Sequence, residues 1–372
     1  SVKDIHITDA AVQYYTITNS GLKLKDISII HINNEYERKD DLDLNKLFKI
    51  VSVKNKVIEY LPKIPLEVKR FKDVLSSNQR PSIDIGLHCD KPYQCDYKRL
   101  CWKDVPKKSV LEFPGMNFKK RFELYNSGYQ KIETLKPEDV SLSDKQWKVV
   151  ETLKKGRLEI NHGKIRSFIN ELKYPLYFLD FETFQCAVPL FNNTKPFKQE
   201  VFQYSIHIED FEGSKLRHKD FLAEPIGDPR ENFIKRLIKD CGEEGDIIVY
   251  NISFERKRLE ELKKVFNAYE SDIENIIRRL KDLMIPFQKG WYRIPELMGK
   301  YTIKQVLPAL VSNYSYEGLD IKEGNQASNI FAMKMINNFD GDWVSVKKSL
   351  REYCKLDTEA MVHILHKLQS SL

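Results

Sequence analysis

The second half of the sequence predicts a layered α/β domain. Strand-like stretches come first, at 176–181, 201–208 and 215–221. A further strand is then predicted at 246–250, among helices predicted at 229–241, 254–267 and 271–283, with a long helix at 343–368. A run of strands followed by alternating helices and strands is typical of a sheet covered by helices.

Turn and capping residues divide the first half into short elements. A helix over 7–20 ends where Gly21 can cap it. The β-branched stretch 26–33 predicts a strand, and the apolar spacing over 43–61 predicts a second helix. We expect three segments: a first domain over 1–105, a helical connector over 106–172 and the α/β domain over 173–372.

Composition excludes several classes of protein. The chain has 372 residues, 41% of them hydrophobic and 31% charged, with a net charge of +7. These values are typical of a soluble globular protein, and no apolar run approaches the roughly 20 residues of a membrane span. The excess of Lys and Arg is compatible with a nucleic-acid partner. No signal peptide opens the chain, so we expect a cytoplasmic protein, and the start at Ser1 within structured sequence indicates a fragment.

Two carboxylates lie two residues apart on the first strand of the α/β domain. In a strand, alternate side chains point to the same face, so Asp180 and Glu182 are expected side by side. Two adjacent carboxylates repel each other unless a cation lies between them, and hard oxygen ligands favour a divalent metal ion.

Two later motifs add polar groups in a fixed order. Asn251 and Glu255 lie where a predicted strand runs into a helix. Tyr353 and Asp357 are four residues apart in the long helix, and therefore share one helical face.

This order of motifs resembles the DnaQ-like DEDD exonucleases, in the subtype with tyrosine in the third motif, over about 174–368. The resemblance implies an RNase H-like fold and two Mg²⁺ or Mn²⁺ ions. It also implies 3′–5′ hydrolysis of DNA or RNA phosphodiester bonds, most readily at single-stranded ends. Asp180 would bridge both ions, Glu182 and Asp357 would hold one of them, and Tyr353 would orient the attacking water.

The fourth acid stays open between two residues. The family's second motif carries aspartate where this chain has Glu255, and Asp282 follows the next predicted helix. Thr183, Asn251, Lys300 and Lys304 are candidates for substrate contacts, although exposed lysines are usually only solvated. Because Glu255 departs from the pattern, a nucleic-acid-binding module without activity is the alternative function.

Three cysteines in the first half, Cys89, Cys95 and Cys101, have the spacing Cys-x5-Cys-x5-Cys. Thiolates at such spacing can hold one zinc ion or one iron–sulfur cluster. The fourth ligand would be His88 or a cysteine before Ser1.

Together with residues 9–15, this cysteine region resembles the C-terminal half of a RecB-like PD-(D/E)XK nuclease, some of whose members hold a [4Fe–4S] cluster. Gln13 matches the family's late helix, whereas Ile17 stands where tyrosine is expected. The resemblance implies a partial restriction-endonuclease-like α/β domain whose catalytic strands would precede Ser1. The whole chain resembles an uncharacterised bacterial family that fuses the two nuclease types.

Overall fold

The computed structural model describes residues 1–311, 314 and 316–372 and divides the chain into two compact units. The first unit comprises Ser1–Val105 and Cys186–Lys198, and the second comprises Pro106–Gln185 and Gln199–Leu372. Residues 106–172, expected as a helical connector, lie in the second unit. No helix among the described residues is both long and apolar enough to cross a bilayer.

The described strands are β1 Ser28–Ile32, β2 Phe48–Ser52, β3 Glu159–Ile160, β4 Leu176–Phe184, β5 Glu200–Glu209, β6 Arg217–Leu222, β7 Asp246–Val249, β8 Leu280–Asp282 and β9 Tyr292–Arg293. The described α-helices are α1 Asp4–Asn19, α2 Leu44–Leu47, α3 Lys54–Tyr60, α4 Ile64–Ser76, α5 Lys98–Cys101, α6 Phe118–Asn126, α7 Asp144–Lys155, α8 His162–Asn170, α9 Arg230–Cys241, α10 Ile252–Val265, α11 Glu270–Arg279, α12 Ile285–Gln288, α13 Ile303–Leu310, α14 Gly324–Met335 and α15 Trp343–Gln369.

In the first unit, the predicted helix over 43–61 is wrong in its middle. The chain forms the short helix α2, then β2, then α3, and β2 pairs antiparallel with β1. The apolar residues at 47, 48, 51 and 57 have the spacing of one helical face. The β-branched residues Ile50 and Val51 nevertheless adopt a strand, because β2 forms backbone hydrogen bonds with β1. Behind this ladder, α1 packs on α3 through Ala11 and Val57, both fully buried.

A five-stranded mixed sheet organises the second unit. Its order is β6-β5-β4-β7-β8. The central strand β4 is antiparallel to β5 and parallel to β7, and β8 continues parallel to β7. The register of β4 against β5 shifts between Glu182 and Thr183, which marks a β-bulge, and bulges commonly re-aim a side chain beside a functional site.

Helices cover both faces of the sheet. On one face, α9, α10 and α11 bury an apolar layer that includes Phe181, Phe233 and Ile276. On the other face, α14 and α15 pack against β4 and β5. There, Phe331 of α14 stacks on Phe202 of β5 with ring centroids 4.0 Å apart.

Polar contacts fix α15 against β5. Gln203 Nε2 donates to the backbone oxygen of Leu350 at 2.8 Å. The hydroxyl of Thr358 lies 2.8 Å from Ser205 Oγ and also 2.8 Å from His207 Nδ1. Because these groups are buried and paired, they specify where along the sheet the helix lies.

We expect Phe331→Ala to lower the free energy of unfolding by about 3–5 kcal/mol, because it leaves a cavity between β5 and α14. Met333→Ala, on the exposed side of the same helix, is the matched control and should change it little. Urea denaturation followed by circular dichroism measures both. Equal effects of the two variants would contradict this view of the α14 contact.

Candidate metal centre

Three acids meet where β4 lies against α15. Asp180 and Glu182 extend from the same face of β4, and Asp357 comes from α15. One carboxylate oxygen of each lies within 4.8 Å of those of the other two. Among the residues that the structure describes, this is the only group of three or more His, Cys, Asp or Glu side chains with ligand atoms so close.

Burial and mutual repulsion make the ionised forms of these acids costly. Burial, followed by the charge of Asp357, raises the pKa of Glu182 to about 8. Burial raises the pKa of Asp357 to about 6. The pKa of Asp180 is also raised well above its usual range, by burial and by the three carboxylates of Asp357, Glu182 and Glu255. A cation in this cluster would reverse these effects, because it favours the charged forms.

Two tyrosines and a lysine surround Asp357. Tyr316 Oη donates to Asp357 Oδ1 at 2.6 Å, and a hydrogen bond from Tyr353 also lowers the pKa of this carboxyl. Lys304 Nζ lies 5.2 Å from the ring centroid of Tyr353 and 5.3 Å from that of Tyr316. Its charge lowers the pKa of both Glu182 and Asp357.

Sequence reasoning missed Tyr316. It precedes α14 and belongs to none of the three motifs, and only the tertiary fold brings its hydroxyl to Asp357. The start of α14 also borders the site: a Cβ atom on Gly324 would lie 3.5 Å from Glu182 Oε2 and 3.9 Å from Tyr353 Oη. A larger residue there would crowd the acids.

Cys354 lies next to Asp180 of the acidic cluster. This side chain is fully buried, and its sulfur is 3.8 Å from the backbone oxygen of Asp180. Burial raises the pKa of the Cys354 thiol well above its usual range, so it stays protonated beside the acids.

Glu255 is a buried acid in the first turn of α10, with 2% of its surface exposed. Burial raises its pKa to about 8, and its charge acts on Asp180. Its Oε2 atom is buried and, among the described residues, has no hydrogen-bond partner. An unpartnered buried carboxylate oxygen is compatible with a ligand at this position, and Glu255 as the fourth acid stays a prediction.

Asp282 has a different role in the structure. The predicted helix over 271–283 ends earlier, at Arg279, and Asp282 lies on strand β8. Its carboxylate accepts backbone N–H groups of Asn251, Ile252 and Met284 at 2.9–3.2 Å. These bonds hold the start of α10, and thus Glu255, against the end of the sheet.

The structure separates the candidates for substrate contact. Asn251 is exposed with a left-handed φ of 79°, and its Oδ1 accepts from Ser253 Oγ. Thr183 is buried beside the β-bulge. Lys304 lies beside the acids, whereas Lys300 lines a cavity below α7. Their contacts with substrate stay predictions.

The three cysteines lie close along the chain in the first unit. Cys95 N donates to the backbone oxygen of Cys89 at 2.9 Å, and Arg80 donates to the sulfur of Cys101 at 3.4 Å. Cys89 is buried and Cys95 exposed. Within the described part of the chain their sulfurs are not gathered within 4.8 Å as a set of three, and a shared zinc ion or cluster stays a prediction.

The donor set of the acidic cluster suits a hard divalent cation. Its ligand atoms are carboxylate oxygens, which Mg²⁺ and Mn²⁺ prefer over softer donors. The orphaned oxygen of Glu255 and the raised pKa values of the acids are what a cation would relieve. The chain therefore fits a divalent metal at Asp180, Glu182 and Asp357, with Glu255 nearby.

Part of the chain that carries this cluster is similar to a family whose role is unassigned. Residues 177–302 match the family model described as a domain of unknown function, DUF2779. The matched region contains Asp180, Glu182, Glu255 and Asp282, and ends before Tyr353 and Asp357.

The chain is also similar to uncharacterised proteins of Mycoplasma and Ureaplasma. It is 29% identical over 220 residues to the uncharacterised MG366 homolog of Mycoplasma pneumoniae. The aligned region covers 54% of this chain and 33% of that protein. It is 30% identical over 233 residues to the uncharacterised protein UU173 of Ureaplasma parvum. This aligned region covers 57% of this chain and 33% of that protein. The chain thus spans about a third of the length of these curated relatives. No solved structure matches.

The raised pKa of Glu182 predicts a pH dependence of stability. A group whose pKa is higher in the folded state than in the unfolded state holds more protons when folded, so its stabilisation is lost as the pH rises. In chelator, Glu182→Gln should therefore raise the melting temperature more at pH 8 than at pH 5, because glutamine resembles the protonated acid. A melting-temperature difference that stays constant over this range would contradict the assignment.

The two candidates for the fourth acid should separate by variant. Asp282→Asn turns a donor toward the backbone N–H of Ile252 and should cost about 1–3 kcal/mol of unfolding free energy. Glu255→Gln should not lower the unfolding free energy, since its raised pKa already disfavours the charged form, but it should weaken Mn²⁺ binding by about tenfold or more. Calorimetric titration and urea denaturation measure the two effects, and the reverse pattern would make Asp282 the ligand.

Proposed function

We propose that the second unit is a metal-dependent nuclease that hydrolyses phosphodiester bonds of DNA or RNA, removing nucleotides from the 3′ end. The observation that carries this proposal is the convergence of Asp180, Glu182 and Asp357 within 4.8 Å. Two of these acids come from one strand and the third from a helix far along the sequence, so the fold itself brings them together.

The sheet topology supports the RNase H-like part of the proposal. In the order β6-β5-β4-β7-β8, only β5 runs antiparallel to the other four strands, which is the arrangement of an RNase H-like sheet. The acids lie on the central strand β4 and on the helix that covers it. A fold alone does not define an activity, so the weight of the proposal rests on the acids.

In this proposal, Asp180, Glu182 and Asp357 would hold two divalent ions, with Glu255 as the fourth acid. Such ions, when bound, supply charge stabilisation for the attacking and leaving oxygens of a phosphodiester and lower the pKa of water. The chain's own acids position the ions, and Asp282 keeps Glu255 in place through the start of α10.

Tyr353 orients the attacking water in this scheme. Burial and the neighbouring acids raise its pKa, so the hydroxyl stays protonated near neutral pH and acts through hydrogen bonding. Lys304 keeps one positive charge beside the acids, where a substrate phosphate would need it.

We expect Asp180→Asn to reduce cleavage of a 3′-tailed oligonucleotide in Mn²⁺ to the level seen with chelator, because a carboxylate that would hold the ions loses its charge. Strands labelled at the 5′ or the 3′ end distinguish the direction of degradation. Asp272→Asn, at an exposed position on α11, is the control and should retain full activity.

Thermal melting should show that both variants fold. Wild-type rates in a folded Asp180→Asn protein would overturn the two-metal mechanism. If the unaltered protein binds the strand without cleaving it in Mn²⁺ or Mg²⁺, the second unit is a binding module.

A further inference from the structure

An open depression lies in the second unit, between α7 and the segment 287–300. Its floor is apolar and includes Val149, Leu153, Phe287 and Leu297. A second, more polar opening shares Lys148, Lys289 and Arg293 with the first, so the two openings adjoin. We call the two together the lysine groove.

The rim of the lysine groove carries unneutralised positive charge. Five lysines line it: Lys145, Lys148, Lys164, Lys289 and Lys300. Within the described part of the chain, no carboxylate forms an ion pair with any of the five. Glu159 also lines the groove, but it is paired with Lys155 and Arg293. A polyanion would therefore find free cations here rather than existing salt bridges.

Aromatic side chains lie among these cations. Lys145 Nζ is 5.1 Å from the ring centroid of Tyr301, and Trp291 lines the second opening. Aromatic faces beside a positively charged groove are the combination that binds single-stranded nucleic acid, since bases stack while phosphates meet the cations.

The groove is close to the acids along one short segment. Lys300 lines the groove, and Lys304, four residues later, lies over the ring of Tyr353. Four Cα–Cα steps of about 3.8 Å limit the separation of the two lysine Cα atoms to roughly 15 Å. A bound strand could thus reach from the groove to the acids with a few nucleotides.

We propose that the lysine groove binds the body of a single-stranded nucleic acid whose end lies at the acidic cluster. The choice of ligand rests on the proposed nuclease function. The apolar floor and the neighbouring aromatic rings can accept the faces of unstacked bases, whereas a paired duplex keeps its bases stacked inside the helix.

Binding is tested separately from cleavage, with the full chain carrying Asp180→Asn, in chelator. The probe is a fluorescent single strand of about 20 nucleotides, followed by anisotropy over a series of salt concentrations. Lys148→Gln together with Lys289→Gln should weaken binding about tenfold. The double change should also lower the slope of log K against log salt by about 1.4, since each phosphate contact on a single strand contributes about 0.7.

Lys215→Gln with Lys239→Gln removes the same charge from exposed positions outside the groove, and should leave both quantities unchanged. Equal losses of affinity for the strand in the two double variants would overturn the proposed role of the groove. A slope of log K against log salt that the groove variant leaves unchanged would do the same. So would displacement of the strand by a polyglutamate peptide as readily as by unlabelled strand.

The outcomes of the two proposals are distinguishable. Groove-dependent binding in a protein that cleaves nothing supports the groove and rejects the nuclease. Metal-dependent cleavage, with binding that is indifferent to Lys148 and Lys289, rejects the groove and leaves the nuclease in place.

Discussion

Mutual repulsion among buried carboxylates is the constraint on which the second unit depends. Carboxylate oxygens of Asp180, Glu182 and Asp357 lie within 4.8 Å of one another. Burial and the neighbouring negative charges therefore make ionisation of each acid unfavourable when no cation is bound. A polar and a positive group lie beside these acids: the Tyr316 hydroxyl donates to Asp357, and the charge of Lys304 lowers the pKa of Glu182 and Asp357. These groups offset part of the cost, and a divalent cation would offset the rest.

The sequence predicted the parts of the site that depend on local geometry. The two-residue period of a strand placed Asp180 beside Glu182, and the four-residue spacing of a helix placed Tyr353 above Asp357. Neither period can indicate that Tyr316 donates to Asp357, because that contact spans 41 residues and depends on how the chain before α14 folds back. The hydrogen bonds that distinguish the surroundings of Asp282 from those of Glu255 likewise exist only in the tertiary structure.

The fold was predictable to a similar depth. In the second unit, strands such as β4 and β5 were located to within a few residues, since buried strands have strong apolar runs. The stretch 43–61 failed because its apolar residues satisfy a helical period, although β2 forms by pairing with β1. Asp282 was expected after a helix, but it lies on β8. The prediction failed because β8 has only three residues paired with β7, too few for a recognisable strand pattern in the sequence.

The large separation of β4 and α15 along the sequence has a consequence for the order in which the protein folds. Cys354 touches Asp180 across 174 residues, so the acidic cluster is among the most non-local contacts of its unit. Closing such a long loop is slow and comes after the local helices and hairpins have formed. A partly folded chain would therefore hold its acids apart and solvated, and their mutual repulsion would arise only with the completed core.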